Sequence, residues 1–287
     1  MSNYLTSEQI TEYTMETGSK KANSPFLKSF LLAFMGGMFI ALASIGSLIA
    51  TSTIDNFSVA SLIAGVVFAT GLMMVVIAGG DLFTGNVLII VAVLRKQVSV
   101  LKMLANLVIV FFGNLAGGIF VVLLVQYSGM LVNGKGMILQ KLLTKGAHKL
   151  EYPFMQAFLL GILCNLLVSL AVWMMYSAKD TGGKVLACFF PIMLFILSGY
   201  EHIVANMYYI PAAILAAGNS EYVKLSGVSR EVLAHLKVSQ ISHNFIPVLL
   251  GNLVGGLIIG TAYAVIHRKQ SAGTIEQSAE VKSSVKA

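Results

Sequence analysis

Asp81, Glu201 and His202 are the ionisable residues lying deep inside long apolar runs of this sequence. A charge at the centre of a membrane span costs about 2.5–3.5 kcal/mol, so each needs a partner or a task. An imidazole at that depth can donate a hydrogen bond to an anion and can change charge near neutral pH. Glu201 is adjacent to His202 and placed to orient it. Thr84 follows Asp81 by three residues. Its hydroxyl and nearby backbone N–H groups can replace part of an anion's hydration shell. The start of a half-helix adds positive potential there. Asp81 itself reads as a brace for the local backbone. Asn114, Asn165 and Asn252 are polar residues inside spans that suit interhelical hydrogen bonding, Asn114 most of all.

The elements that must position these groups follow from composition. Hydrophobic residues make up 57% of the 287, and charged residues only 11%, against about 25% in a soluble domain. Runs almost free of charge over 26–50, 103–125, 153–176 and 245–266 each match the roughly 20 residues that cross a bilayer as a helix. Two further runs are longer. Over 56–94 the only charge is Asp81, and over 185–220 it is Glu201, with His202 beside it. A helix of that length would exceed about 50 Å, too long for a core of about 30 Å. Neither run has a polar turn. Each is therefore expected to cross once with irregular backbone in the middle, at Gly79, Gly80 and Gly85 in the first and at Ser198 and Gly199 in the second. Such backbone is tolerated only where protein or a water-filled cavity covers it, and paired broken helices point to a transport site.

Lys20, Lys21 and Lys28, Arg95, Lys96 and Lys102, Lys179 and Lys184, and Arg268 and Lys269 fall on one side of six crossings. The positive-inside rule makes that side, and both termini, cytoplasmic. The opposite loop breaks the pattern with Lys135, Lys141, Lys145, His148 and Lys149, a basic rim that could concentrate anions. Residues 1–25 form an N-terminal segment, 26–266 the membrane domain and 267–287 a C-terminal tail. Cys164 and Cys188 sit in apolar runs and read as packing residues.

The two halves echo each other. Phe30 to Gly37 matches Phe154 to Gly161, an offset of 124. Gly80, Asp81 and Asn86 match Tyr200, Glu201 and Asn206 at an offset of 120. Gly113-Asn114 through Gly118 matches Gly251-Asn252 through Gly256. Three spans per half make the repeat inverted. The expected fold is an all-α integral membrane protein of six helices in an inverted 3+3 repeat, with the second and fifth broken.

Gly80-Asp-Leu-Phe-Thr-Gly-Asn86 and the segment from Gly199 to Met207 resemble the two signature segments of the formate/nitrite transporter family, and the similarity spans about residues 26–266. The resemblance implies an aquaporin-like protomer with its own pore, assembled as a homopentamer in the bilayer of the cell (inner, cytoplasmic) membrane. It implies that Thr84 and His202 line the substrate path, that Leu72 and Phe195 form apolar constrictions, and that Leu82 and Phe83 edge the first loop. It implies that Asn165 and Glu201 support the histidine, and that Lys149 draws anions into the outer vestibule. For the N-terminal segment it suggests a mobile cap that gates the pore with pH, beside the plainer reading of a disordered tail.

The expected function is transport of a small monovalent anion of a weak acid. Formate comes first, on overall likeness including the polar N-terminal extension, with nitrite and hydrosulfide as alternatives and protons as possible partners through His202. A neutral-solute channel of the aquaporin type would carry paired Asn-Pro-Ala motifs, which are absent. An intramembrane zinc protease would carry His-Glu-x-x-His, which is also absent. No catalysis, cofactor, metal or nucleic-acid partner is expected.

Overall fold

The computed structural model describes residues 4–268 of the chain. The expected tail over 267–287, and Lys269 with it, lies outside the described residues beyond position 268. The elements in order are α1 (Ser7–Ala22), α2 (Phe26–Thr51), α3 (Phe57–Met74), α4 (Phe83–Asn86), α5 (Ile90–Leu94), α6 (Val100–Tyr127), α7 (Met137–Glu151), α8 (Phe154–Ser177), α9 (Thr181–Leu197), α10 (Ile203–Ala217), α11 (Ser220–Ser226), α12 (Arg230–His235) and α13 (Ile241–Ile266). Helices α2, α6, α8 and α13, and α3 with its π-turn, are long and apolar enough to cross a membrane. The second crossing runs from α3 through α5. The fifth is shared by α9 and α10, each too short to cross alone. The fold is the expected six-crossing helical bundle.

Local chemistry sets the helix starts. The side chains of Asn56, Ser99 and Asp180 accept backbone N–H groups at the beginnings of α3, α6 and α9. Pro25 and Pro153 precede α2 and α8 with the same backbone angles, φ −57° and ψ 147°. Proline holds φ near the value a helix needs and removes an N–H that the first turn would leave unbonded.

The breaks are short. Helix α3 loosens into a π-turn over Val75–Gly79, the chain extends through Gly80 to Leu82, and helix resumes at Phe83. Helix α9 ends at Leu197 and α10 begins at Ile203. Gly79 turns with φ +94° and Gly199 with φ +71°. Glycine takes these left-handed angles without the Cβ strain of other residues. Their numbers differ by 120, the spacing expected for the two breaks.

The halves correspond in their packing. Helix α2 lies on α6 as α8 lies on α13. A Cβ on Gly117 would meet the carbonyl oxygen of Phe34, and one on Gly255 that of Ile162. Phe34 and Ile162 are 128 apart, as are Pro25 and Pro153. The first and fourth spans are therefore related by 128 residues, and the sequence match at 124 is one helical turn out of register. A four-residue slip turns a helix only slightly beyond a full revolution. It leaves apolar and small residues on the same face, so the pattern alone does not expose the error.

The N-terminal segment is also corrected in part. Residues 7–22 are not a disordered tail. They form α1, started by a capping box in which the Thr6 side chain and Gln9 satisfy each other's backbone N–H groups. Before it, Leu5 N–H donates to the Ser177 carbonyl at 2.9 Å, stitching the chain to the end of α8.

Candidate functional site

Each break is held by one buried asparagine. Asn114 on α6 accepts the Phe83 N–H at 2.9 Å and donates to the carbonyls of Ala33 (2.7 Å) and Asp81 (2.8 Å). Asn252 on α13 accepts the Ile203 N–H at 2.9 Å and donates to Gly161 (2.8 Å) and Glu201 (2.9 Å). Irregular backbone exposes donors and acceptors that lipid cannot satisfy, and a carboxamide supplies both kinds at once.

The break carboxylates are each neutralised by a lysine from outside the spans. Lys21 on α1 pairs with Asp81 at 2.8 Å, and Lys149 on α7 with Glu201 at 2.6 Å. These lysines are 128 residues apart, the offset of the first and fourth spans. The surrounding amides repeat too. Asn86 donates to Asn106 (2.9 Å), which donates to the Lys21 carbonyl. Asn206 donates to Asn244 (2.7 Å), which donates to the Lys149 carbonyl. Helix α1 thus corresponds to α7. The two networks differ in detail: Lys21 also donates to Asn86 Oδ1 at 2.7 Å, whereas Asn206 Oδ1 has no partner among the described residues, and Asn206 and Asn244 instead donate to Glu201 Oε2 at 2.7 and 3.2 Å.

Between the breaks the symmetry stops. At the offset of 120, Leu82 corresponds to His202 and Thr84 to Val204. His202 is the N-cap of α10, with Nδ1 accepting the Ala205 N–H at 3.2 Å. An accepting Nδ1 leaves the proton of the neutral ring on Nε2. Nε2 lies 3.0 Å from the Thr84 hydroxyl, so it donates to that oxygen. Both residues are buried. Asn165 supports this contact through Thr84, donating to its carbonyl at 3.3 Å and to that of Asn252 at 2.6 Å. The side chains of Asn165 and Glu201 make no hydrogen bond to the His202 ring among the described residues. Glu201 is the chain neighbour of His202, and its carboxylate belongs to the lysine network.

Two cavities approach this pair from opposite ends. On the α1 side, a space of about 420 Å³ is lined by Leu72, Leu82, Tyr13, Lys21, Tyr176 and Lys184, among others. On the α7 side, a space of about 490 Å³ is lined by Phe195, His202, Lys141, Lys145, Lys149 and Tyr209, among others. Phe195 lies edge-on to Phe68, ring centres 5.7 Å apart, and 5.8 Å from the His202 ring. Of the expected constriction residues, Leu72 and Leu82 face one cavity and Phe195 the other. Phe83 lines neither and packs against Phe111 on α6, 6.3 Å between centres. Thr84 lines neither cavity: its neighbours Leu82 and Gly85 face the α1-side cavity, and its hydroxyl meets His202, which faces the other. Lys149 lines the cavity, but its ammonium is buried against Glu201.

The basic rim has its own electrostatics. Lys141 donates to the Thr51 carbonyl. Burial, then the neighbouring Lys145, holds its ammonium below the usual lysine range. Burial also lowers Lys145, with Glu201 opposing from a distance. Burial, then Glu201, raises the Tyr152 phenol to about 12.

Sequence reasoning gave no role to Asn106 or Asn244, and read Lys21 only as part of the positive charge that sets the cytoplasmic side. A signal was present: Lys21 and Lys149 each stand four residues before a proline that opens a span.

The sequence profile described as formate/nitrite transporter matches residues 8–266. The chain is 37% identical over 262 residues to the formate channel FocA of Escherichia coli K12, covering 89% of this chain and 92% of the relative. It is 38% identical to the formate channel FocA of Haemophilus influenzae, covering 88% and 91%. Among solved structures it is similar to a pentameric formate channel with formate bound, at TM-score 0.79 and 37% identity, covering 87% of this chain and 99% of that one.

Proposed function

The chain belongs to the formate/nitrite transporter family, and from that premise we propose that it conducts formate through a pore centred on His202 and Thr84. One observation carries the reading. A donor Nε2 and a hydroxyl lie 3.0 Å apart where His202, which faces one cavity, meets the loop whose Leu82 and Gly85 face the other. An anion entering between them replaces the Thr84 oxygen as acceptor for Nε2 and takes the hydroxyl proton as a second hydrogen bond. Leu72, Leu82 and Phe195 exclude water on either side, so a hydrated ion must shed its shell to pass. Phe83, Asn165, Asp81, Glu201 and Lys149 keep the breaks in place around it.

The cap on Nδ1 separates two ways of using the histidine. Donating a hydrogen bond from Nε2 leaves the cap intact. Handing over a proton, so that the neutral acid passes, requires a ring protonated at both nitrogens and hence loss of the Ala205 bond. The geometry supports hydrogen-bond donation as the resting mode, with proton linkage a second step coupled to the start of α10.

The protomer is proposed to assemble as a homopentamer in the inner membrane, in keeping with its likeness to a formate channel that is pentameric. The α1 side is proposed to be cytoplasmic, from the lysines and arginines there. Helix α1, hinged ahead of Pro25 and held by Lys21, is the segment placed to gate that mouth.

Proteoliposome flux tests the reading. Formate influx is expected to fall at least about tenfold in His202→Ala, loss of a positioned donor in a dry site being worth about 1.4 kcal/mol or more. Unchanged flux with unchanged pH dependence would sink the proposal. Competition among formate, nitrite and hydrosulfide across pH decides the anion, since all three fit the same donors.

A further inference from the structure

Helix α7 carries three lysines at one-turn spacing, Lys141, Lys145 and Lys149, and all three line the larger cavity. Their charges are not equally available. Lys149 is spent on Glu201 at 2.6 Å and is buried. Lys141, one turn before Lys145 on the helix, is tied to the Thr51 carbonyl, with Asp55 in its field. Lys145 differs from both. Among the described residues no carboxylate lies within ion-pair distance and no acceptor takes its N–H groups. Its Nζ sits over the Tyr209 ring, 4.4 Å from the centre. That ring is fixed from behind, because the Tyr209 hydroxyl donates to the Ser44 carbonyl at 3.2 Å. The Lys149 Nζ reaches the same ring only at 5.7 Å.

We infer that Lys145, held over Tyr209, is the binding cation of the α7-side vestibule, where a small monovalent carboxylate or similar anion docks before it reaches His202. The inference rests on the pore reading and adds the residue that captures the anion. An ammonium over an aromatic face keeps its three donors free while the ring partly compensates its charge. A low-dielectric cavity focuses the field of such a charge onto the entering ion. Lys149, already neutralised, contributes to holding Glu201 and the second break. Capture and bracing are thus divided between adjacent turns of one helix.

The test is charge replacement at one position, read as formate flux against concentration in proteoliposomes. Lys145→Met is expected to raise the half-saturating formate concentration at least about fivefold, with the maximal rate changed less than about twofold. Lys145→Arg is expected to stay near wild type. Lys145→Cys allows the charge to be restored chemically. A thiol reagent carrying an ammonium should recover the wild-type value, and one carrying a sulfonate should worsen it. Cys164 and Cys188 are buried, and the wild-type protein treated with each reagent controls for them. A Lys145→Met protein with unchanged half-saturation, or a Cys variant indifferent to the sign of the reagent, overturns the inference. Wild-type protein that carries no formate overturns instead the pore reading on which it rests.

Discussion

The two breaks share a scaffold and differ in what they present to the pore. Each has a glycine at positive φ, an asparagine bridging three backbone groups, a carboxylate and a lysine arriving on a helix outside the spans. These bracing residues have counterparts in the other half, whereas Asn165, whose equivalent at the offset of 128 is Gly37, braces one side only. The two residues that meet at the centre also lack counterparts: His202 has a leucine as its equivalent and Thr84 a valine. The bracing repeats because both crossings pose the same problem of unsatisfied backbone in hydrocarbon. The breaks also differ in access. The Lys21 side chain is 26% exposed and that of Lys149 only 9%, so the first ion pair is open to solvent and the second is sealed.

The largest test of this comparison is the sealed pair. Lys149→Met leaves Glu201 buried without a counter-charge and should destabilise the protein by about 3–5 kcal/mol. Lys149→Met combined with Glu201→Gln should recover much of that, measured by unfolding in mixed detergent. Next are the asparagines. Asn114→Ala and Asn252→Ala each strand one N–H and share in the loss of two acceptors' partners, and each should cost about 2 kcal/mol or more. Similar values would sharpen the equivalence of the breaks, and a large difference would break it. Lys21→Met should cost only about 1 kcal/mol, because solvent can reach its pair. A loss as large as that of Lys149→Met would show that exposure does not separate the two. Smallest is Thr84→Val, which gives the first break the residue found at the same place in the second. Formate flux should fall about three- to tenfold, one neutral hydrogen bond's worth, with Thr84→Ser close to wild type.

Much of this was legible in the sequence. Two apolar runs too long for one helix, each with a single acid, announced broken crossings, and the offset of 120 between the acid-asparagine clusters located them. The centre was legible in part, since the pairing of Thr84 with His202 came through the resemblance to a family rather than from spacing. What stayed hidden was tertiary. Nothing local to Lys21 says that a polar helix packs under α5, and Asn106 and Asn244 look like any span amide. Adjacency suggests that Glu201 orients the His202 ring. Successive residues leaving a helix cap diverge, however, and their side chains end in different networks.

The correspondence of Lys21 with Lys149 and of Pro25 with Pro153 changes where the duplicated unit begins. A boundary drawn after residue 25 cuts through it. Each repeated unit is four helices long, one outside the spans and three crossing, and carries its own counter-charge for its own acid. Two such units in opposite senses give a lysine-bearing helix at each mouth. Shortening the protein from the N-terminal end removes half of a matched pair.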